Sequence, residues 1–168
     1  GFETWRKRCQ WLRDDQLFYL ITAFLGMRVT PEEPVTFDAN QDLRYVYPCS
    51  YDILTTRLEK KGRPRQRVAK ATEKAKEKAK ETYEIGVLNV TPAAPMDFKG
   101  SNGKHWIVAV VVYEAKTGCL VRIHLYDPLH GLKLSKPVKR EMEKRLNVDV
   151  QLTSLKVQQD GWKCGYFC

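Results

Sequence analysis

KHWIVAVVVYEAKTGCLVRIHLYDPL (104–129) is the stretch on which the reading of the whole chain turns. Two apolar, β-branched runs flank the tripeptide Lys-Thr-Gly (116–118), a pattern that predicts a β-hairpin with strands over 104–115 and 119–129. WIVAVVV (106–112) contains no polar residue, as expected of a buried strand, and falls far short of the roughly 20 residues that cross a bilayer. Pro128 is expected to stop the second strand directly after Asp127, because proline cannot donate to a ladder. His105 then opens one strand and Asp127 closes its antiparallel partner. Neighbouring strands lie about 4.8 Å apart, so an imidazole and a carboxylate at that end of the hairpin can meet.

Outward from the hairpin, helical and strand patterns mix. WLRDDQLFYLITAFLG (11–26) places Leu17, Leu20, Ile21, Phe24 and Leu25 at helical spacing, with Asp14 or Asp15 to cap it and Gly26 to end it. Residues 31–40 read as a loop. DLRYVYPCS (42–50) is strand-like up to Pro48, and YDILTTRLEK (51–60) reads as a short helix. YEIGVLNVTP (83–92) is a further strand, and AAPMDFKGSNG (93–103) is a loop leading into the hairpin. Downstream, Val138, Met142 and Leu146 mark a surface helix over 137–146, and VDVQLTSLKV (148–157) is a last strand. The order predicts one α+β domain over residues 1–168, a size that supports a core of its own. The chain opens on Gly1 with neither methionine nor a signal-peptide pattern, so a fragment of a longer protein is expected.

The net charge of +9 is concentrated. Residues 57–80 hold eleven Lys or Arg against three Glu, a local +8, and the remainder is nearly neutral. This lysine-rich segment, about 60–84, is low in apolar residues and rich in helix formers, and reads as an exposed helical insertion. The competing reading is a basic patch for nuclear import or for weak nucleic-acid contact, although no aromatic side chains are interleaved for base stacking. The five cysteines (Cys9, Cys49, Cys119, Cys164, Cys168) form no C-x-x-C pair, which argues against a zinc site or a disulfide framework and for reduced thiols in the nucleus or cytoplasm.

The end of the chain, VQQDGWKCGYFC (157–168), sets a cysteine beside a glycine and a few residues after two glutamines. Cys164 is either a small buried hydrophobe or a nucleophile. The second reading needs a base and an acceptor that orients the base, and His105 and Asp127 supply both. Each has a bland alternative: a structural histidine, and a turn aspartate before proline. His124 competes for the role of base but sits inside its strand. Gln158 or Gln159 is placed to hold an oxyanion.

Taken together, His105-Trp106, Asp127, Gln158, Gly161, Cys164-Gly165 and the early Trp11-Leu12-Arg13-Asp14 resemble the ubiquitin-like-protein proteases, the SUMO-deconjugating cysteine peptidases, with the adenovirus maturation protease as a distant relative. The resemblance selects Gln158 over Gln159, because the family's glutamine stands six residues before its cysteine. It implies a papain-like, adenain-type fold with a central, mostly antiparallel sheet and flanking helices. In that family a long helix opens at the nucleophile; here only GYFC follows, so a C-terminally truncated domain is implied. The implied activity is hydrolysis of a peptide or isopeptide bond after the Gly-Gly terminus of a ubiquitin-like modifier, or at a similar polyprotein site. Cys164 would be the nucleophile, His105 the base, Asp127 its orienter and Gln158 an oxyanion donor. Trp11 and Trp106 would flank a narrow tunnel for the glycine tail, and Asp14 would contact the modifier or simply cap its helix. A monomer acting without metal, cofactor or membrane is implied. The alternatives are an acyltransferase using the same triad, and a non-catalytic module that binds a modifier or nucleic acid.

Overall fold

The valine-rich run lies at the middle of a sheet, where a strand without polar side chains can be covered on both faces. The computed structural model of the protein describes residues 12–24, 35–36, 43–61, 80–92, 105–160 and 163–168. In chain order these form α1 (Asp14–Phe24), β1 (Val35–Thr36), β2 (Leu43–Ser50), α2 (Tyr51–Lys60), β3 (Glu81–Asn89), β4 (Trp106–Glu114), β5 (Leu120–Leu129), α3 (Ser135–Leu146), β6 (Asp149–Gln158) and α4 (Cys164–Phe167). The strands line up in sequence order, β1-β2-β3-β4-β5-β6, with β1 a two-residue edge on five full strands. β2–β3 and β5–β6 are parallel and the other pairs antiparallel, so this is a mixed sheet in an α+β domain.

The two parallel pairs explain the helices. Each needs a crossover, and α2 and α3 supply them. Both pack on one face, against Leu88, Ile107, Ala109, Val111, Ile123, Leu125 and Val150, using Leu54 and Leu58 from α2 and Val138, Met142 and Leu146 from α3. Full burial of side chains of this kind is worth about 1.5–3 kcal/mol each. The two helices are tied to one another by Tyr51 Oη donating to Glu141 Oε2 (2.5 Å) and by the Arg145–Glu59 ion pair (2.6 Å). Because side chains alternate along a strand, Val87 and Trp106 point to the opposite face from Leu88 and Ile107. There they join Leu12, Leu17 and Cys164 in a second, smaller cluster under α1.

Several expected boundaries move. β2 runs through Pro48 to Ser50; a register shift between Val46 and Cys49 leaves the proline outside the ladder. β5 likewise does not stop at Asp127 but continues through Pro128 to Leu129, again across a register shift. Both prolines sit at bulges, where a missing N–H costs nothing. Residues 81–84 belong to β3 and not to the lysine-rich insertion; the reading of 62–79 as a helix lies outside the described residues. In α1 only Leu17 is buried, and Phe24 is 90% exposed. Asp14 and Asp15 lie inside its first turn, and Gln16 Oε1 accepts from the Arg13 N–H (3.0 Å) in place of an aspartate cap. No described helix is long and apolar enough to cross a membrane.

Candidate active site

His105 lies one residue before β4, held there by its carbonyl, which accepts from Val90 N–H (3.0 Å). β4 and β5 pair Val108 with Tyr126. Extending that antiparallel register by one pair sets Asp127 opposite Ile107, and so on the same face as His105 and diagonal to it. The two side chains meet: His105 Nε2 is 2.6 Å from Asp127 Oδ1. Both are buried, at 1% and 0% exposure, so the contact forms without competition from solvent.

Asp127 is also fixed from two other directions. Its Oδ1 accepts from the Leu129 N–H (2.8 Å), and its Oδ2 accepts from the Ser135 hydroxyl (2.5 Å) at the start of α3. Burial alone would push its carboxyl up, but the hydrogen bonds from His105, Ser135 and Leu129 outweigh that and hold it below the ordinary value. For His105, burial works downward, yet the hydrogen bonds and negative charge of Asp127 and Cys164 dominate and push the imidazole up to about 9. Both shifts favour the carboxylate–imidazolium form of the pair.

Cys164 opens α4, a single turn closed by Cys168 N–H donating to the Cys164 carbonyl (3.2 Å). Asp160 fixes the approach, accepting from Lys163 N–H (2.9 Å) and pairing with the Lys163 ammonium (3.1 Å). The turn packs down on α1 at Gly165, where a Cβ would come within 3.1–3.3 Å of Leu12 and Leu17. This close approach seats Cys164 in the second cluster, 0% exposed, with its thiol hydrogen-bonded to His105. As Nε2 of the imidazole faces Asp127, Nδ1 is the ring atom left for the thiol. The arrangement thus lines up a sulfur, an imidazole ring and a buried carboxylate. That ordering is what a thiolate nucleophile requires, since the thiolate and not the thiol attacks.

The remaining candidate residues fall out unevenly. Gln158 ends β6, after a bulge in which Lys156 adopts a left-handed backbone (φ 55°) and β6 advances four residues while β5 advances two. It is 4% exposed; its Nε2 donates to the Asp160 carbonyl (2.7 Å), and its Oε1 has no partner among the described residues. Gln159, the other glutamine weighed, is exposed. Trp106 is 3% exposed and its indole N–H donates to the Leu12 carbonyl (2.8 Å), so it fastens the start of α1 to the sheet beside Cys164. Asp14 is exposed in the first turn of α1, with Oδ1 accepting from Asp15 N–H (2.9 Å). Trp11 and Gly161 lie outside the described residues. His124 points away from the site: its Nε2 accepts from Arg122 Nε–H (3.0 Å) and its ring stacks on Tyr126. Sequence reasoning missed Ser135, whose hydroxyl reaches Asp127 only because of the turn between β5 and α3. Among the described residues no group of three or more His, Cys, Asp and Glu is placed to hold a metal ion.

Neither a protein-family model nor a curated protein matches the chain.

Proposed function

We propose that the protein is a cysteine peptidase of the ubiquitin-like-protein protease type, with a papain-like fold, cleaving after a glycine tail. The observation that carries this reading is the contact chain Cys164–His105–Asp127, with His105 Nε2 at 2.6 Å from the carboxylate and the thiol bonded to the same ring.

The chemistry follows from those positions. The Cys164 thiolate attacks the carbonyl carbon of the terminal glycine, and the carbonyl π electrons move to oxygen. The Gln158 amide retains a second N–H beyond the one given to Asp160, and with the Cys164 backbone N–H it would hold the oxyanion. The His105 imidazolium gives its proton to the leaving amine as the C–N bond breaks, leaving a thioester on Cys164. Neutral His105 then takes a proton from water, the hydroxide oxygen attacks the thioester, and the sulfur leaves as thiolate, restoring the imidazolium. Asp127 keeps the ring oriented throughout and offsets its positive charge. A nucleophile with 0% exposure suits a thin, side-chain-free substrate tail threaded between neighbours.

The partner on this reading is a ubiquitin-like modifier or its conjugate, met in the nucleus or cytoplasm. The test is labelling with a panel of ubiquitin-like modifiers carrying a thiol-reactive C-terminal group. One or more should modify the wild-type chain and none the Cys164→Ala variant. Labelling that survives Cys164→Ala refutes the assigned nucleophile. Absence of labelling from a cooperatively folded chain, joined to transfer of an acyl group from a small thioester donor, moves the assignment to an acyltransferase.

A further inference from the structure

We infer that Ser135 is a positioning residue of the triad, acting as the clamp that keeps Asp127 both ionised and correctly aimed at His105. The inference rests on the peptidase reading above and adds a fourth member to its machinery.

Ser135 occupies the first position of α3, where a serine would ordinarily serve the helix. It does not do so here: the N-cap is Leu134, with no side-chain cap hydrogen bond. A hydroxyl has one proton to donate. The Ser135 hydroxyl lies 2.5 Å from Asp127 Oδ2 and 3.3 Å from the Leu132 carbonyl, so the carboxylate takes the proton. Both residues are 0% exposed, so no water can substitute if the hydroxyl is lost.

The backbone between them is bent to make this contact. β5 ends at Leu129, and Leu132 then adopts a left-handed conformation (φ 55°), uncommon for a residue other than glycine, asparagine or aspartate. The turn folds the start of α3 back onto the end of the strand it has just left, which brings residue 135 over residue 127. Strain of this kind persists where surrounding contacts over-determine it. Among the described residues three donors divide the carboxylate: Leu129 N–H and His105 Nε2–H share Oδ1, and Ser135 alone serves Oδ2. With Oδ2 anchored, the carboxylate cannot rotate about its own axis and swing Oδ1 away from the ring.

Among the described residues, the titratable groups that act on Asp127 and its partner ring are His105 ahead of β4, Cys164 at the start of α4 and Cys168 just beyond its end. α3 contributes Ser135, and β6 brings Ser154 and Gln158 into register with this end of β5; none of these three titrates near neutrality. Loss of the Ser135 donor therefore acts on Asp127 directly. Its carboxyl rises, it protonates at higher pH, and the imidazolium loses its counter-charge sooner on acidification.

The readout is the rate at which iodoacetamide alkylates Cys164, followed by peptide mass spectrometry across pH 3–9, which needs no knowledge of the natural substrate. Ser135→Ala should move the acid limb of the profile upward by about one pH unit, the size expected when a charged group loses one of its donors. Ser135→Thr, which keeps the hydroxyl, should restore the wild-type limb. In an Asp127→Asn background, Ser135→Ala should leave the profile unmoved. An unshifted limb in Ser135→Ala, with wild-type Cys164 showing fast pH-dependent alkylation, overturns the inference and leaves the peptidase reading standing. Because Cys164 is itself buried, its comparator is His105→Gln: a wild-type alkylation profile that coincides with that variant's at every pH overturns the triad reading and this inference together.

Discussion

A pH-dependent stability difference should separate the wild-type chain from His105→Gln, and its size follows from the site. His105 stands at about 9 in the folded chain against 6.5 in the unfolded one. A folded value raised above the unfolded one stabilises the fold fully below the unfolded value, and that stability is lost as pH climbs through the folded value. A tenfold change in proton affinity is worth about 1.36 kcal/mol, so the rise from 6.5 to about 9 stabilises the fold by about 3 kcal/mol in all. Evaluated along the titration it is about 3 kcal/mol at pH 6, about 2 at pH 7.5 and below about 0.5 at pH 9. His105→Gln keeps a side-chain N–H for Asp127 but cannot carry the proton. Groups outside the site titrate equally in both chains, so the wild-type-minus-variant difference isolates the proton that His105 holds with its buried partner Asp127.

The assay is urea denaturation of both chains at pH 6, 7.5, 9 and 10. The difference between the curves should narrow by about 3 kcal/mol over that range, with its steepest fall between pH 7 and pH 9. A constant offset belongs to lost packing and leaves the proton on His105 untouched. Curves that run parallel from pH 6 to pH 10 would show that the folded chain holds no extra proton on His105. The carboxylate–imidazolium description of the site would then fail.

Gly165→Ala should destabilise the fold by about 1–3 kcal/mol and slow alkylation of Cys164, because the new Cβ meets Leu12 and Leu17 at 3.1–3.3 Å. In a Leu12→Ala background the same substitution should cost measurably less, and equal costs in both would refute the contact as its cause. Arg57→Met should cost about 3 kcal/mol in chemical denaturation, since it strands the Glu84 carboxylate, 1% exposed, with the Tyr113 hydroxyl at 2.8 Å still donating to it but no cation beside it. Adding Glu84→Gln should recover most of that loss; no recovery would place the cost in lost Arg57 packing. Replacing 62–79 by a short Gly-Ser linker should leave a cooperative melt. Its flanks meet the same end of the sheet, Lys61 over the Tyr113 ring and the Lys80 carbonyl accepting from Ala115 N–H. Loss of the melt would show that the segment is structural, and loss of salt-sensitive nucleic-acid binding alone would assign it that contact.

What the sequence made legible was whatever depends on local pattern. The apolar run of β4, the KTG turn and the i, i+4 spacing of Val138, Met142 and Leu146 each announce their element, and all three of those α3 residues are buried. The placement of His105 and Asp127 on adjoining strand ends also follows from a hairpin alone. What stayed hidden depends on which strand lies beside which. Pro48 and Pro128 read as stops because a proline inside a ladder loses a hydrogen bond, and only the register shifts at β2–β3 and β5–β6 reveal that neither is asked for one. Glu84 looked like the tail of a charged insertion; its burial requires Arg57, 27 residues earlier, and Tyr113, 29 residues later, to converge on it. The indole of Trp106 reads equally well as a substrate wall or as core, and a hydrogen bond to a carbonyl 94 residues away is invisible to any window.

Ser135 shows the same limit at the site itself. No spacing rule links a serine to an aspartate eight residues before it when a strand end and a turn intervene. The link exists because Leu132 accepts a left-handed backbone, and leucine is among the residues a reader would not expect there. A helix-capping serine and a carboxylate clamp are the same letter in the same place, and only the direction of one hydroxyl proton separates them. The residues proposed to perform the chemistry declared themselves by type, whereas the residue proposed to aim them is distinguished by position alone. A search for triads in sequence therefore finds nucleophile, base and acid first, and finds their supports only when the chain has been folded.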